Sequence, residues 1–421
     1  MRAALVAASA FSLFCGHAAA APSVSVNVSL LTTPYAPALV TWSGISGAST
    51  SDWITAVCLP SQSYFWWTYT DGSAAGSAPF SLFANGKSSS CDSIAIALYS
   101  GSANKQIALS APIAVSPMIQ QVHLFPQSDA STMAVDFVSS SPAGGGASCA
   151  YGTAPGSLSA RAPAVTSRYA TIGNLSHALL TRLTPDTQYY YTCGDDGATS
   201  ELLSFTAAPQ PAGRPFTIAV WADFGVDDGF GLEQILRDAG AGAFDLIMHA
   251  GDWAYDLSSD ESANGNFFMN RAHPYASKIP VLPAPGNHEA GANFSEFIAR
   301  HSAVAAYSNT GTALYYSFEA NAGTPTGVHV LTFNSETYID GGIEAMLNWI
   351  QADLASVDRA RTPWVIAQSH KLFWLLTCNN PPPICSASGR RRCLLTLPPN
   401  LRGSFRSPPH AGWMVLLNQQ L

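Results

Sequence analysis

Four short segments place acidic, amide, phenolic and imidazole side chains at close spacing: Asp223-Phe224-Gly225, Gly251-Asp252-Trp253-Ala254-Tyr255, Gly286-Asn287-His288-Glu289 and Ala367-Gln368-Ser369-His370. Each alone has an ordinary structural use. Asp223 would cap a following helix, Gly-Asp and Gly-Asn pairs form turns, and a lone histidine such as His370 is more often packed than ligating. Together they supply hard oxygen ligands, a phenol and imidazoles. That set suits two metal ions roughly 3.5–4 Å apart, which share one carboxylate, clamp a phosphoryl oxygen and deprotonate a water for in-line attack. Asp-Phe-Gly also occurs in protein kinases, but no kinase glycine-rich loop or His-Arg-Asp loop precedes it here.

The elements around these segments alternate. Beyond a Pro- and Gly-rich linker at 209–215, strand-like runs at 216–222, 245–249, 279–282, 328–333 and 364–367 are interleaved with helical patterns at 232–239, 294–301 and 343–357. This predicts a layered α/β domain with the four motifs at carboxyl ends of strands, where such folds bind ligands. The chain before the linker reads differently. Short β-branched or aromatic runs at 23–31, 38–42, 53–58, 64–70 and 94–99, then at 121–124, 132–138, 178–183 and 188–193, predict two antiparallel β-sandwiches. Both read as scaffold without chemistry. Trp66, Trp67 and Tyr69 could form an aromatic carbohydrate-binding face, but a sandwich core is the simpler reading. His249 and His329, inside strand-like runs, read as packed, and His123, His177, His273 and His301 show no partner pattern.

Asp223-x-Gly225, Gly251-Asp252-x-x-Tyr255, Gly286-Asn287-His288-Glu289 and the terminal histidine of Ala367-x-x-His370 resemble the first four of five motifs of the purple acid phosphatases, within the metallophosphoesterase superfamily. The similarity covers about residues 22–371. It implies a fold of two N-terminal β-sandwich domains of fibronectin III or immunoglobulin type and then an α/β metallophosphatase sandwich flanked by helices, incomplete at its C-terminus. The corresponding spans are a signal peptide at 1–21, sandwiches at 22–117 and 118–209, the second of the family's fibronectin III-like type, a partial phosphatase domain at 210–371 and an anomalous tail at 372–421. By the resemblance, Asp223 and Tyr255 bind ferric iron, whose bond to the phenolate gives the family its colour. Asp252 bridges to a divalent Zn, Mn or Fe held by Asn287 and His370. His288 is the general acid and Glu289 supports the ligands from behind. The implied reaction is hydrolysis of small phosphate monoesters in acid.

The family's fifth motif, Gly-His-x-His, does not occur in the 421 residues. The tail from Leu372 holds no Asp or Glu, although the first 371 residues hold all 27, and it is rich in Arg and Pro. Either a gene-model error after about Lys371 or a truncated protein with weak metal retention and little turnover accounts for it. A second functional reading follows, a catalytically inactive secreted binding protein that works through its sandwiches.

Composition narrows the remaining classes. Charged residues are 11% of the chain and the net charge is −8, which excludes the basic surface that nucleic-acid binding needs. Arg2, the apolar run 3–15 and the small residues 18–21 predict a cleaved leader and secretion, or residence in the secretory lumen. No later stretch predicts a membrane span. In that oxidising compartment Cys58, Cys91, Cys149 and Cys193 are disulfide candidates, one pair per sandwich, and Asn27, Asn174 and Asn293 are glycosylation candidates. Oligomeric state is not readable.

Overall fold

The computed structural model describes residues 21–60, 64–83, 93–141, 145–208, 216–226, 231–336, 343–371 and the backbone of 413–417. Its first block forms two facing sheets. One orders β1 (Ser23–Val26), β3 (Tyr35–Ser43) and β6 (Gly76–Phe83) as β1-β3-β6. The other runs β2-β9-β7-β4-β5, from β2 (Leu30–Leu31), β4 (Trp53–Leu59), β5 (Tyr64–Tyr69), β7 (Ser93–Ser100) and β9 (Ile113–Val115), with β8 (Lys105–Leu109) paired to β7. Alternation along β4 sends Ile54, Ala56 and Cys58 into the core against Val40, Trp42 and Leu82. Cys58 is disulfide-bonded, while Cys91 lies outside the described residues.

The second block departs from two separate sheets. Strands β10 (Ile119–Pro126), β11 (Met133–Ser139), β12 (Ser148–Gly152), β13 (Ala160–Tyr169), β14 (Gly173–Leu180), β15 (Thr187–Gly194) and β16 (Leu203–Ala207) make one seven-stranded sheet ordered β10-β11-β14-β13-β12-β15-β16. The ten-residue β13 is the corner. Its first residues pair with β12 and its last with β14, so the sheet folds over a core of Val135, Phe137, Leu180, Tyr191 and Phe205. Cys149 and Cys193 face each other across β12 and β15 and form a disulfide. Of the sequon asparagines, Asn27 and Asn293 are exposed, whereas Asn174 is buried with its Nδ2 donating to Ser141 O at 2.9 Å.

Two further sheets follow. The parallel β17 (Ile218–Trp221), β18 (Leu246–Ala250) and β19 (Val281–Ala284) face β20 (Tyr315–Ala320), β21 (Val328–Phe333), β22 (Trp364–Ser369) and β23 (Trp413–Leu417). Gln368 Nε2 bridges the layers to Leu282 O at 3.0 Å, as does Tyr316 OH to Pro283 O at 2.9 Å. Helix α5 (Ile343–Ser356) covers the second sheet through Met346, Trp349 and Ile350. The apolar run Trp413-Met414-Val415-Leu416-Leu417 pairs antiparallel with β22 and covers the sheet edge.

Helices α1 (Leu232–Gly240) and α2 (Ala263–Ala276) pack on one another at the parallel sheet, and α2 also packs on β10. The helix expected over 294–301 is α3 (Ser295–Arg300), and a short helix that was not expected, α4 (Ser302–Tyr307), follows it. The second starts where the Asp136 carboxylate accepts Ser302 Oγ at 2.7 Å and Ala303 N at 2.9 Å, capping a new helix from the neighbouring domain. The histidines without a sequence pattern lie along this same seam. His273 takes the Val122 amide on Nδ1 and donates from Nε2 to Glu201 at 2.9 Å, His177 meets Ser302, and His123 meets Asp136 at 3.4 Å. Burial holds the His301 imidazole well below its usual range.

Candidate metal centre

Level register of the parallel strands brings three loops to one edge, because Trp221 pairs with His249 and Ala250 with Ala284. Asp223 follows β17, Asp252 and Tyr255 follow β18, and Asn287, His288 and Glu289 form a 3₁₀ turn after β19. His370 follows β22 in the facing sheet. The first two loops are zipped together, Asp223 N donating to Gly251 O at 3.1 Å and Gly225 N to Trp253 O at 2.9 Å. Inside this frame Asp223, Asp252 and Tyr255 hold left-handed φ values of 55°, 51° and 47°. A tyrosine rarely adopts that region, and such local strain concentrates where surrounding contacts over-determine a site.

Two glycines allow the close approach. A Cβ on Gly251, itself at φ 87°, would lie 2.6 Å from His370 Cβ, and one on Gly286 would lie 2.2 Å from Asp252 Oδ1. Glu289, 3% exposed, then ties the loops: Oε2 accepts Asp252 N at 2.9 Å and Gly286 N at 2.8 Å, and Oε1 accepts Trp253 N at 3.0 Å. Burial pushes its carboxyl up to about 7 even though the three amides favour the charged form.

Asp223, Asp252 and His370 each place a ligand-type atom within 4.8 Å of the others. His370 Nε2 is 3.2 Å from Asp252 Oδ2 and 3.2 Å from Asn287 Oδ1, and Tyr255 OH donates to Asp223 Oδ1 at 2.8 Å. Every residue predicted as a ligand is therefore in one cluster. Burial alone would lower the His370 imidazole, but the hydrogen bond and charge of Asp252 raise it on balance. Burial would raise Asp252, yet His370 and His288 hold it below the usual carboxylate range.

This donor set fits a cation. His370 Nδ1 lies 3.1 Å from Ala250 O, so the neutral ring donates from Nδ1 and turns a lone pair at Nε2 toward two further acceptors, Asp252 Oδ2 and Asn287 Oδ1. Three acceptors aimed at one another require a proton or a metal between them. In the same way, a metal would replace the phenol proton shared by Tyr255 and Asp223.

Two features escaped the sequence reading. Asp256 Oδ1 sits 2.6 Å from His288 Nδ1 and fixes that ring, while His288 N donates to Asp252 Oδ1 at 3.0 Å. The signal was only an acid one residue beyond Tyr255. Behind His370, Lys371 Nζ pairs at 2.7 Å with the fully buried Glu336, and Lys371 N donates to Ser335 Oγ at 2.9 Å. His249, expected to be packed, is 1% exposed and stacks on Trp253 with ring centroids 3.8 Å apart. Burial depresses it to about 3, so it is neutral.

Comparison with known proteins agrees with this geometry. Residues 119–207 match the family model described as purple acid phosphatase, N-terminal domain, and residues 216–400 match that of the calcineurin-like phosphoesterases. Over 208 residues the chain is 33% identical to acid phosphatase type 7 of Mus musculus, covering 48% of this chain and 45% of that protein. It is 30% identical to purple acid phosphatase 23 of Arabidopsis thaliana over 234 residues, covering 48% of this chain and 49% of the other. It thus spans about half the length of the curated relatives it matches. The solved structure of purple acid phosphatase PPD1 from yellow lupin (Lupinus luteus) seeds shares the fold, with a TM-score of 0.59 at 18% identity over 83% of this chain and 72% of that one. A domain matching the purple acid phosphatase N-terminal model and a domain matching the calcineurin-like phosphoesterases thus follow one another in this chain, with the motif residues of the second gathered at one sheet edge.

Proposed function

We propose that this chain hydrolyses small phosphate monoesters in acid at a dinuclear metal centre. The observation that carries the reading is the convergence of Asp252, His370 and Asn287 acceptors beside the Asp223–Tyr255 pair. Asp223 and Tyr255 would hold ferric iron, Asp252 would bridge, and Asn287 and His370 would hold a divalent Zn, Mn or Fe. A bound metal pair supplies Lewis-acid polarisation of the phosphoryl group and an acidified water. His288 then acts as general acid: its Nδ1 is fixed by Asp256, its Nε2 lies 3.9 Å from Asp252 Oδ2 on the ligand side, and from there it passes a proton to the departing alkoxide. Asp256 steadies the imidazolium before transfer, and Glu289 keeps the Asp252 and Gly286 loops in register.

The same proposal takes residues 1–21 as a leader, 22–117 and 118–209 as β-sandwiches, the second fibronectin III-like, and 210–371 as the phosphatase domain of a secreted glycoprotein. No described helix is long and apolar enough to cross a membrane. The two imidazoles of Gly-His-x-His are not among these 421 residues, and we expect the chain as it stands to retain metal weakly and turn over slowly. That same observation favours the second reading, an inactive binding protein. The deciding experiment loads the folded protein with ferric iron and zinc and measures metal content, visible absorbance and phosphate release from p-nitrophenyl phosphate at acid pH. A visible band lost in Tyr255→Phe, with phosphate release lost in His288→Ala, is the expected result. A folded preparation that takes up no metal and releases no phosphate overturns the proposal.

A further inference from the structure

The N-terminal sandwich lies ahead of both matched regions, which begin at residue 119, and its outer face contradicts the reading of its aromatics as core. Trp67 is 47% exposed and Tyr69 is 56% exposed, while the Trp66 side chain is outside the described residues. Strand register explains why these rings gather. Trp53 on β4 pairs with Tyr69 on β5 and with Tyr99 on β7, and Tyr99 pairs with Gln106 on β8. Cross-strand partners share a face, so Gln106, Tyr99, Trp53 and Tyr69 form one row across four strands, with Trp67 two residues from Tyr69 on the same side. Three strand spacings make the row roughly 14 Å long. Trp53 and Tyr99 stack with centroids 4.2 Å apart, Trp53 meets Trp67 edge-on at 6.3 Å, and Trp67 meets Tyr69 at 4.9 Å and 76°. Tyr99 rests on the buried Val57, Ala95 and Ala97, which gives that end of the row a fixed floor.

We infer that this row binds a neutral, soluble glycan chain. Sugar C–H groups are polarised positive and pack on the negative faces of aromatic rings, and none of the five side chains carries a charge that would demand a charged partner. The polar ends suit hydroxyls: two phenols and the indole N–H of Trp67, with the Gln106 side chain at one end of the row. The steep angle between Trp67 and Tyr69 is wrong for a flat crystalline surface and right for a chain whose successive rings turn. Size argues against a second copy of this protein. With Trp67 and Tyr69 about half exposed, and an aromatic side chain covering about 150–250 Å², the two offer roughly 200 Å². A stable interface needs about 800 Å² per partner.

The test is native affinity electrophoresis of the full chain through gels containing laminarin, hydroxyethylcellulose or galactomannan, which are neutral soluble polysaccharides. Retardation by at least one is expected, weakened at least tenfold in Trp67→Ala/Tyr69→Ala and retained in Trp67→Phe/Tyr69→Phe, with thermal melting showing that the variants fold. No retardation by any of the three overturns the inference, as does equal retardation of the alanine variant. Concentration-dependent dimerisation abolished by the alanine pair would also overturn it, assigning the row to contact between copies. None of these outcomes depends on phosphatase activity.

Discussion

Replacing Glu289 by glutamine keeps the side chain's shape while removing its charge and one of its two acceptor oxygens. The carboxylate accepts three backbone amides, two from the loop after β18 and one from the loop after β19. With the amide oxygen left at the doubly bonded position, the new NH2 group faces Trp253 N, one hydrogen bond is lost and a buried donor stays unpaired, which costs about 1–3 kcal/mol. The two surviving bonds become neutral, and their lost charge assistance is offset by relief of the burial penalty that pushes the carboxyl up to about 7. The net is about 2 kcal/mol. For a domain of 150–250 residues that corresponds to a fall in melting temperature of about 4–8 °C. The released loop carries Asp252, so metal content after loading and desalting should fall in parallel. Calorimetry and metal analysis on the same preparation check both effects. A melting temperature within about 2 °C of wild type, with unchanged metal content, would refute the view that Glu289 holds the two loops together.

Neutral, buried His249 should make the fold acid-sensitive: its folded pKa, depressed to about 3, lies below the unfolded value, so stability present above pH 6.5 is lost as pH falls. At about 1.4 kcal/mol per pH unit the loss by pH 5 is about 2 kcal/mol, and urea unfolding at pH 7 and pH 5 should show that difference shrink by the same amount in His249→Phe. An identical pH difference in both proteins would count against the buried neutral ring. Opening the Cys149–Cys193 bridge, which spans 44 residues, should destabilise the chain by up to about 4 kcal/mol, read as a lower unfolding midpoint in Cys149→Ser/Cys193→Ser. Asp256→Asn should lower kcat about 10–100-fold while leaving KM and metal content unchanged. A matching loss of metal would make Asp256 a structural residue of the ligand shell instead.

How much of this was legible depended on whether a residue's partner lay nearby in sequence. The strand at 328–333, the helix from 343 and the four motif loops announce themselves through apolar runs bounded by turn residues, and their five candidate ligands do meet. Helix α2 stayed hidden because Asn264, Asn266, Asn270 and Arg271 interrupt any apolar stripe. They are buried all the same, since each finds at least one partner in Gln120, Gln121 or a backbone carbonyl distant in the chain. Helix α4 was unreadable for a similar reason, its cap being Asp136, far away in the chain. Long β13 concealed its corner, because pairing with different partners at its two ends leaves no mark on its composition. Asp256 beside His288 was in plain view, but an acid after a tyrosine carries no signal until the turn brings it round.

Arg300 is almost wholly buried, and its guanidinium is shared between Glu296 on its own helix, Asn266 of α2 and Gln121 of the preceding domain. Tyr191 reaches across the same boundary to Ser277 O at 2.7 Å, as Asn270 does to Gln120 at 3.0 Å. The Pro-rich linker therefore separates two stretches of chain without separating two independent bodies. A fragment beginning at residue 216 would strip Gln121 from Arg300 and Asn266 and Gln120 from Asn270, and the β10–β16 sheet alone would lose the groups that answer Gln120 and Gln121. Recombination, whether by evolution or by cloning, has to carry the two as a single heritable cassette. Grafting the phosphatase onto another scaffold means grafting the face of β10 with it.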